Sequence, residues 1–372
     1  MRDVIIIGGG LAGLINAILL SRAGMQVSLL EKRDYPHHKV CGEYISNEVV
    51  PFLNRQGLYP EELAPAQVSR FMLSSVSGKV SCMPLDMGAF GISRYALDHF
   101  FCHKAKEAGA EILTQTAVRN VTFKESHFQL SLSNHQTVNT RLVVGAYGKR
   151  SRLDKALDRG FIKKRSPYIG VKYHLIADFP DDLIALHNFR GGYCGISRIE
   201  NGKYNMCYLG SREDLRRYGS IEAMEQAVLW ENPHLKKLFE ESTFLFEKPE
   251  VINEISFASK QPVEQHILMS GDTAGLITPL CGNGMAMAIH SAKTLSDLII
   301  HHYLSAKFDR SKLEQDYTHA WQKLFARRLW VGRKVQQLFG SALMSELGVG
   351  LMRNSKPIAR QIMKRTHGQI FY

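Results

Sequence analysis

Acidic charge, paired cysteines and long apolar runs are all scarce in this chain of 372 residues. The charge-free stretch Val4 to Leu20 is broken by Gly8, Gly9 and Gly10, holds Asn16 in its second half and falls short of a bilayer crossing. No small-residue cleavage site follows it before Ser21 and Arg22, so it is not read as a secretory leader either. The six cysteines, at 41, 82, 102, 194, 207 and 281, form no CxxC pair and no zinc-like spacing with histidine. That pattern predicts a reduced, cytoplasmic chain without a structural metal. His37 and His38 are adjacent, so their side chains diverge and make a poor metal pair; a solvated loop is the expectation. With 47 Lys+Arg against 35 Asp+Glu, the net charge of +12 favours acidic ligands such as phosphates, acyl-carrier proteins or an anionic membrane surface. The basic residues are dispersed until a concentration after Ala306 and lack interleaved aromatics, which argues against nucleic acid.

What the chain does have begins at once. An apolar strand, Val4 to Ile7, runs through Gly8, Gly10 and Gly13 into a helix starting near Leu11, and a second strand, Gln26 to Leu30, ends at Glu31. Glycines at those positions let the backbone turn tightly and approach a pyrophosphate, whose charge sits at the positive end of the helix. A carboxylate 18 residues after Gly13, followed by Lys32, is placed to accept hydrogen bonds from an adenosine ribose. The same carboxylate repels a 2′-phosphate, so FAD or NAD is favoured over NADP.

Beyond this unit the periodicities predict a helix Ser46 to Arg55 capped by Ser46, a hairpin Val68 to Pro84 turning at Ser77-Gly78, and a helix Tyr95 to Ala108. Short strands follow at Glu111 to Leu113, Val118 to Phe123, Phe128 to Leu132 and Leu142 to Ala146. Longer alternating strands, Ile169 to Ile176, Tyr193 to Ile199 and Tyr204 to Leu209, mark a sheet-based substrate region, and Pro233 interrupts the helical stretch Ile221 to Glu240. Ile267 to Ser270 reads as a buried strand, a long helix runs from Asn283 to Tyr303, and the remainder is helical and basic. No internal repeat or low-complexity linker is visible.

A second glycine cluster, from Gly271 to Ala292, separates FAD from NAD. Asp272 at a strand end suits a ribityl hydroxyl, and Pro279 stiffens the turn. Gly282, Asn283, Gly284 and Met285 then bring backbone to a helix start whose positive end favours an electron-rich reduced ring.

Taken together these motifs resemble the FAD-dependent oxidoreductases of the para-hydroxybenzoate-hydroxylase fold, in the branch holding geranylgeranyl-reductase-like enzymes and flavin-dependent halogenases, over residues 1 to 300. The resemblance implies an α/β (α+β) architecture: a Rossmann-like FAD-binding domain from 1–66, 91–160 and 256–303, a β-sheet substrate domain from 67–90 and 161–255, and a helical C-terminal region 304–372. It implies that Gly8, Gly10, Gly13 and Glu31 hold the ADP half and that Arg94 in GISRYALDHFF contacts the cofactor. Asp272, Pro279, Gly282 and Gly284 would hold the other half. PHHKVCGEYIS, Pro36 to Ser46, is similar to the Cys-Gly loop that lies near the flavin in the reductase branch. Cys41 is thus the candidate side chain near chemistry, or a small packed residue. Tyr193 is a candidate for lining the substrate cavity, or a core aromatic.

Two departures bear on activity. Tyr147 stands where hydroxylases of this fold carry an acid, which puts direct NAD(P)H docking in doubt; Lys149, Arg150 and Arg152 are either phosphate contacts or a solvated turn. The segment Gly191 to Arg198 holds no tryptophan, against the halogenase pattern. The expectation is an FAD-dependent reductase or dehydrogenase of carbon–carbon bonds acting on an apolar, lipid-like or carrier-bound substrate, with an external donor such as NAD(P)H. The alternatives are a monooxygenase working through a C4a-hydroperoxide and a non-catalytic flavin electron carrier. In the C-terminal region Leu324, Leu329, Val331, Val335 and Leu338 mix with Arg327, Arg328, Arg333 and Lys334. That stretch either packs over the substrate domain or touches an anionic surface, making the protein peripheral at the inner membrane.

Overall fold

The computed structural model describes residues 2–163, 166–253, 255–278, 282–305, 307–338, 341–355 and 368–372. Pro279 lies outside them, as do the side chains of Val335 and Leu338. The first strand, Arg2–Ile7, lies between Val27–Leu30 and Thr137–Gly145 and is parallel to both. Glu111–Leu113 extends this sheet beyond Val27–Leu30, and Ile267–Met269 extends it beyond Thr137–Gly145, again in parallel. A meander of Val118–Lys124 and His127–Leu132 joins antiparallel. Parallel strands this apolar must be covered on both faces. One cover is the helix Leu11–Arg22, buried on every side from Leu11 to Leu20, as a helix apolar all round must be.

Asn16 in that helix answers to a buried polar network. Its amide donates to Ala12 O (2.7 Å) and Ser270 Oγ (3.2 Å), and its carbonyl oxygen accepts from Ser296 Oγ (2.9 Å). The first helix is thereby locked to the long helix Gly284–Tyr303 and to the strand delivering Gly271 and Asp272.

The second sheet runs Thr243–Phe244, Tyr168–Ile176, Tyr204–Ser211, Gly192–Arg198, Leu183–Phe189, Ala66–Ser74, Val80–Gly91 and Tyr44–Ser46. The hairpin, its turn at Ser75 to Lys79 and the Ser46 cap agree with the sequence reading. Strand Leu183–Phe189 was not expected. It is buried along nearly its whole length and so lacks polar alternation, and it pairs parallel to Ala66–Ser74. Pro233 stands at the first turn of helix Pro233–Glu241, behind an Asn232 cap, where a missing N–H costs nothing.

The C-terminal region departs from the expected packing over the substrate sheet. Helix Arg310–Trp321 passes through a π-turn into Arg327–Leu338, and Trp321, Phe325 and Leu329 join the core of the first sheet. Tyr317 donates to Met269 O at 2.5 Å. Among the described residues, the last helix, Ala342–Asn354, reaches the second sheet, placing Val349 against Leu73, Leu186 and Tyr193.

Candidate functional site

The first glycine turn is shaped by contact distances. Gly8 has φ +104°, and a Cβ there would sit 2.5 Å from Ala146 O; a Cβ on Gly13 would lie 1.9 Å from Gly8 O. Both positions demand glycine because strand, turn and helix touch without side chains between them. The helix that follows has no side-chain cap and no acid in its first turn, so its leading N–H groups face outward without a protein acceptor of that kind. By contrast, Ser93, Ser220, Asn232 and Asp309 cap their own helices with side-chain oxygens.

Two cations stand over this bare end. A Cβ built on Gly10 would lie 3.4 Å from an Arg94 nitrogen and 3.8 Å from Lys39 Nζ. Both are fixed by one buried acid: Asp98 accepts from Arg94 Nε (2.7 Å), Arg94 Nη2 (2.8 Å) and Lys39 Nζ (2.7 Å). Burial alone would raise the Asp98 carboxyl, but Arg94 and Lys39 together hold it below the usual carboxylate range. One negative charge shared by two cations leaves a net positive charge at a helix N-terminus, which suits a pyrophosphate.

Glu31 is 6% exposed, and its carboxylate accepts from Gly9 N (2.7 Å) and Arg33 N (3.1 Å). Tyr35 donates to Gly9 O (2.6 Å), closing the loop over the turn. Lys32 is exposed. Lys39, not singled out in the sequence, stands beside Gly10.

At the second cluster, Gly282 has φ +61° and packs on the Tyr44 ring, and Asn283 Nδ2 donates to Glu48 Oε2 (3.3 Å). The helix Gly284–Tyr303 likewise begins without a side-chain cap or an acid in its first turn. Met285 is buried in the first core. Asp272 is half-buried, its carbonyl accepts from Lys260 Nζ (2.8 Å), and its carboxylate acts on the Arg94 guanidinium electrostatically. Asp272 thus lies within electrostatic reach of the Arg94 that stands over the first helix end.

Between the two clusters runs the Cys41 loop, held by its carbonyls from the second sheet and from the turn that follows Thr137–Gly145. Lys172 Nζ donates to Lys39 O (3.3 Å), Lys149 Nζ to Val40 O (3.2 Å) and Asn205 Nδ2 to Cys41 O (3.2 Å). Three consecutive carbonyls, two bonded to the sheet and one to Lys149, fix the loop. Cys41 itself is half-buried, and a Cβ on Gly42 would meet nothing within 4 Å. Glu43 ends the loop at φ +52°, fully buried, accepting from Lys172 Nζ (2.5 Å) and Arg94 N (2.7 Å) and pairing with His174 Nε2 (2.6 Å). Burial would raise its pKa, yet Lys172 and His174 hold it below the ordinary value. Lys149 is thus committed to the loop rather than to a solvated turn.

His38 also departs from the solvated-loop expectation. Its ring stacks on Tyr95 (4.7 Å) and meets His174 edge-on (5.1 Å), and burial together with Lys172 and His174 lowers its pKa to about 4. Tyr147, in the acid's place, meets Met269 Sδ at 3.6 Å. Tyr193 is 3% exposed among Leu73, Leu186 and Leu209, on the face of the second sheet that carries the loop. Glu43, Asp98, Lys172 and His174 were missed, although two signals existed. Arg94 and Asp98 lie at i, i+4 on one helix, and Lys172 and His174 alternate with apolar residues along Tyr168–Ile176. Among the described residues no group of three metal-ligating side chains converges.

Two uncapped helix ends, a paired-cation cradle and a ribose-side carboxylate fit FAD. The profile of the FAD binding domain family matches residues 1–319. Digeranylgeranylglycerophospholipid reductase 2 of Methanopyrus kandleri is 23% identical, over 93% of this chain and 88% of that one. A geranylgeranyl bacteriochlorophyll reductase-like protein from Thermoplasma acidophilum superposes with a TM-score of 0.79 at 18% identity, covering 98% of this chain and 96% of that one. A flavin-dependent brominase reaches the same TM-score, 0.79, at 16% identity, over 100% and 94% of the two chains. The chain belongs to the FAD binding domain family, with a Rossmann-like fold, and is an FAD-dependent oxidoreductase related to geranylgeranyl reductases.

Proposed function

We propose that the protein reduces carbon–carbon double bonds of an apolar, isoprenoid-like lipid held between the cofactor and the loop-bearing face of the second sheet. The division of labour follows the sheets: the first, with its helices, carries FAD, and the second shapes the substrate site. The observation that carries the reading is the moored Cys41 loop, fixed by Lys172, Lys149 and Asn205 beside an apolar floor of Tyr193, Leu186 and Leu209. The printed names of the relatives support the substrate class. FAD, when bound, supplies two-electron transfer at its ring. The chain's own part is to orient the substrate, exclude water and hold the cofactor's charge.

Gly8, Gly10, Gly13, Glu31 and Arg94 take the ADP half, and Asp272, Gly282, Asn283 and Gly284 the ring half. Cys41 lies beside the reacting carbons and Tyr193 lines the cavity. With Tyr147 in the acid's place, a nicotinamide donor would have to act without that carboxylate; a protein or quinol donor meets no such gap.

Anaerobic mixing of the reduced holoprotein with a geranylgeranyl lipid tests the reading. Flavin reoxidation with loss of one double bond per turnover is expected. Product formation that consumes oxygen stoichiometrically would make it a monooxygenase instead. Cys41→Ala is expected to retain FAD and slow turnover by about ten-fold, the scale of one lost hydrogen-bonding contact; unchanged kinetics would return Cys41 to packing.

A further inference from the structure

The last helix, Ala342–Asn354, has two apolar faces. Its inner face is accounted for: Val349 and Met352 pack on the Tyr193 cluster, Ser345 Oγ accepts from Val76 N (3.4 Å), and Glu346 accepts from Ser77 N (3.1 Å) and pairs with Lys79 (3.3 Å). The outer face carries Leu343, Leu347 and Leu351 at i, i+4 and i+8, with relative exposures of 65%, 58% and 47%. Met344 beside them is 42% exposed. Leucines aligned on one helical face and left open to water are a docking surface rather than scattered surface leucines.

Charge identifies the occupant. From Arg327 to Tyr372 the sequence holds nine Lys or Arg and one acid, Glu346, which faces inward. Among the described residues of that span, Arg327, Lys334 and Arg353 are exposed, and Trp330 is 56% exposed with Lys334 Nζ 6.0 Å from its ring centroid. An apolar stripe on a chain end this rich in cations matches a bilayer with anionic headgroups. A second copy of this chain would set those cations against themselves.

We infer that helix Ala342–Asn354 lies on an anionic membrane surface through Leu343, Leu347 and Leu351 and forms the lipid-side wall of the substrate site. The wall role rests on the function proposed above; the docking does not. The helix's inner residues touch Tyr193's cluster, so an acyl or prenyl chain leaving the bilayer beside it reaches the loop-bearing face without crossing water.

The test uses full-length holoprotein with extruded vesicles of phosphatidylglycerol or of phosphatidylcholine. Cosedimentation with the anionic vesicles, weakened by salt, is expected. Leu343→Glu/Leu347→Glu/Leu351→Glu is expected to lose at least about ten-fold in vesicle affinity, with unchanged FAD content and unchanged turnover of a detergent-dispersed isoprenoid. Turnover of vesicle-embedded substrate should fall with the binding. Should the triple variant be unstable, Leu347→Cys carrying a polarity-sensitive dye reports the same contact as a blue shift on adding vesicles. Equal vesicle binding by the triple variant, or no shift of the dye, overturns the docking. So does a concentration-dependent dimer that the triple variant dissolves while vesicles go unbound. Vesicle binding by a protein that turns over no isoprenoid keeps the docking and removes the proposed function.

Discussion

The two faces of the second sheet are equally dry and differ in almost everything else. On strands Tyr168–Ile176 and Tyr204–Ser211, Val171, Tyr173, Leu175, Met206 and Tyr208 point one way, into an apolar core with Met224, Val228 and Leu235. The alternate residues Lys172, His174, Asn205 and Cys207 point the other way, to the Cys41 loop. Period-two alternation sorts the side chains; the difference lies in what each face is pressed against. Helices cover the outer face, and a loop with exposed carbonyls covers the inner one, so buried donors there find partners and are retained. The contrast predicts that inner-face substitutions disturb cofactor and turnover, whereas outer-face substitutions change stability alone.

The largest effect should come from breaking the inner-face charge cluster. Glu43→Ala leaves Lys172 buried without a counter-charge and His174 without its partner, and removing one member of a buried pair costs about 3–5 kcal/mol. A drop of that size in the urea unfolding free energy, together with loss of bound FAD through the freed Arg94 N–H, is expected. A stable, flavin-loaded Glu43→Ala protein would show that the cluster does not organise the loop.

Among the polar groups buried on the outer face, Glu225 sharpens the comparison. Glu225 accepts from Tyr173 Oη (2.9 Å) and Tyr208 Oη (2.8 Å), and burial raises its pKa from 4.5 to about 7. A carboxyl whose folded pKa is raised stabilises the fold while protonated. Below pH 4.5 folded and unfolded chains both hold the proton; as pH rises toward about 7 the unfolded chain releases it first, and stability falls. Glu225→Gln should remove that slope and gain up to about 3 kcal/mol above pH 7 by denaturant titration, with turnover unchanged. A change in turnover would contradict the assignment of this face to structure.

At the cofactor end, Arg94→Ala is expected to weaken FAD binding by about 10- to 100-fold, the worth of one charged hydrogen bond. Asp98 keeps Lys39 as a partner, so folding should change little. Flavin titration of the deflavinated protein reads the loss; unaltered affinity would remove Arg94 from the phosphate cradle.

These outcomes also measure what the sequence alone conveys. The opening strand, glycine turn and helix were legible because they rest on local rules: backbone space at Gly8 and Gly13, and periodicity along each element. Lys39, Glu43, Lys172 and Asn205 were not, because each acts across 59 to 164 residues of chain. No local pattern says which buried cation meets which carbonyl. The C-terminal helices were misplaced for a related reason. Their apolar spacing predicted a packed face but not which of two apolar cores receives it, and Phe325 and Leu329 chose the first.

The smallest expected effect is the most discriminating. Asn205 donates a single neutral hydrogen bond to Cys41 O at 3.2 Å, and such a bond contributes about 1 kcal/mol. Asn205→Ala should therefore lower stability only marginally, while Lys149 and Lys172 keep the two preceding carbonyls in place. If the loop's purpose is to present Cys41 and Gly42 to substrate, the loosened carbonyl should appear as a fall in kcat of about five- to ten-fold with little change in KM, as expected when ground-state binding survives but the reacting geometry is blurred. Asn205→Asp is the informative companion: it fills the same space but sets an acceptor against the Cys41 carbonyl, and should be worse than alanine. Were both variants to match the parent in kcat, the moored loop would be scaffold, and the functional weight of the inner face would shift to Tyr193 and its apolar neighbours.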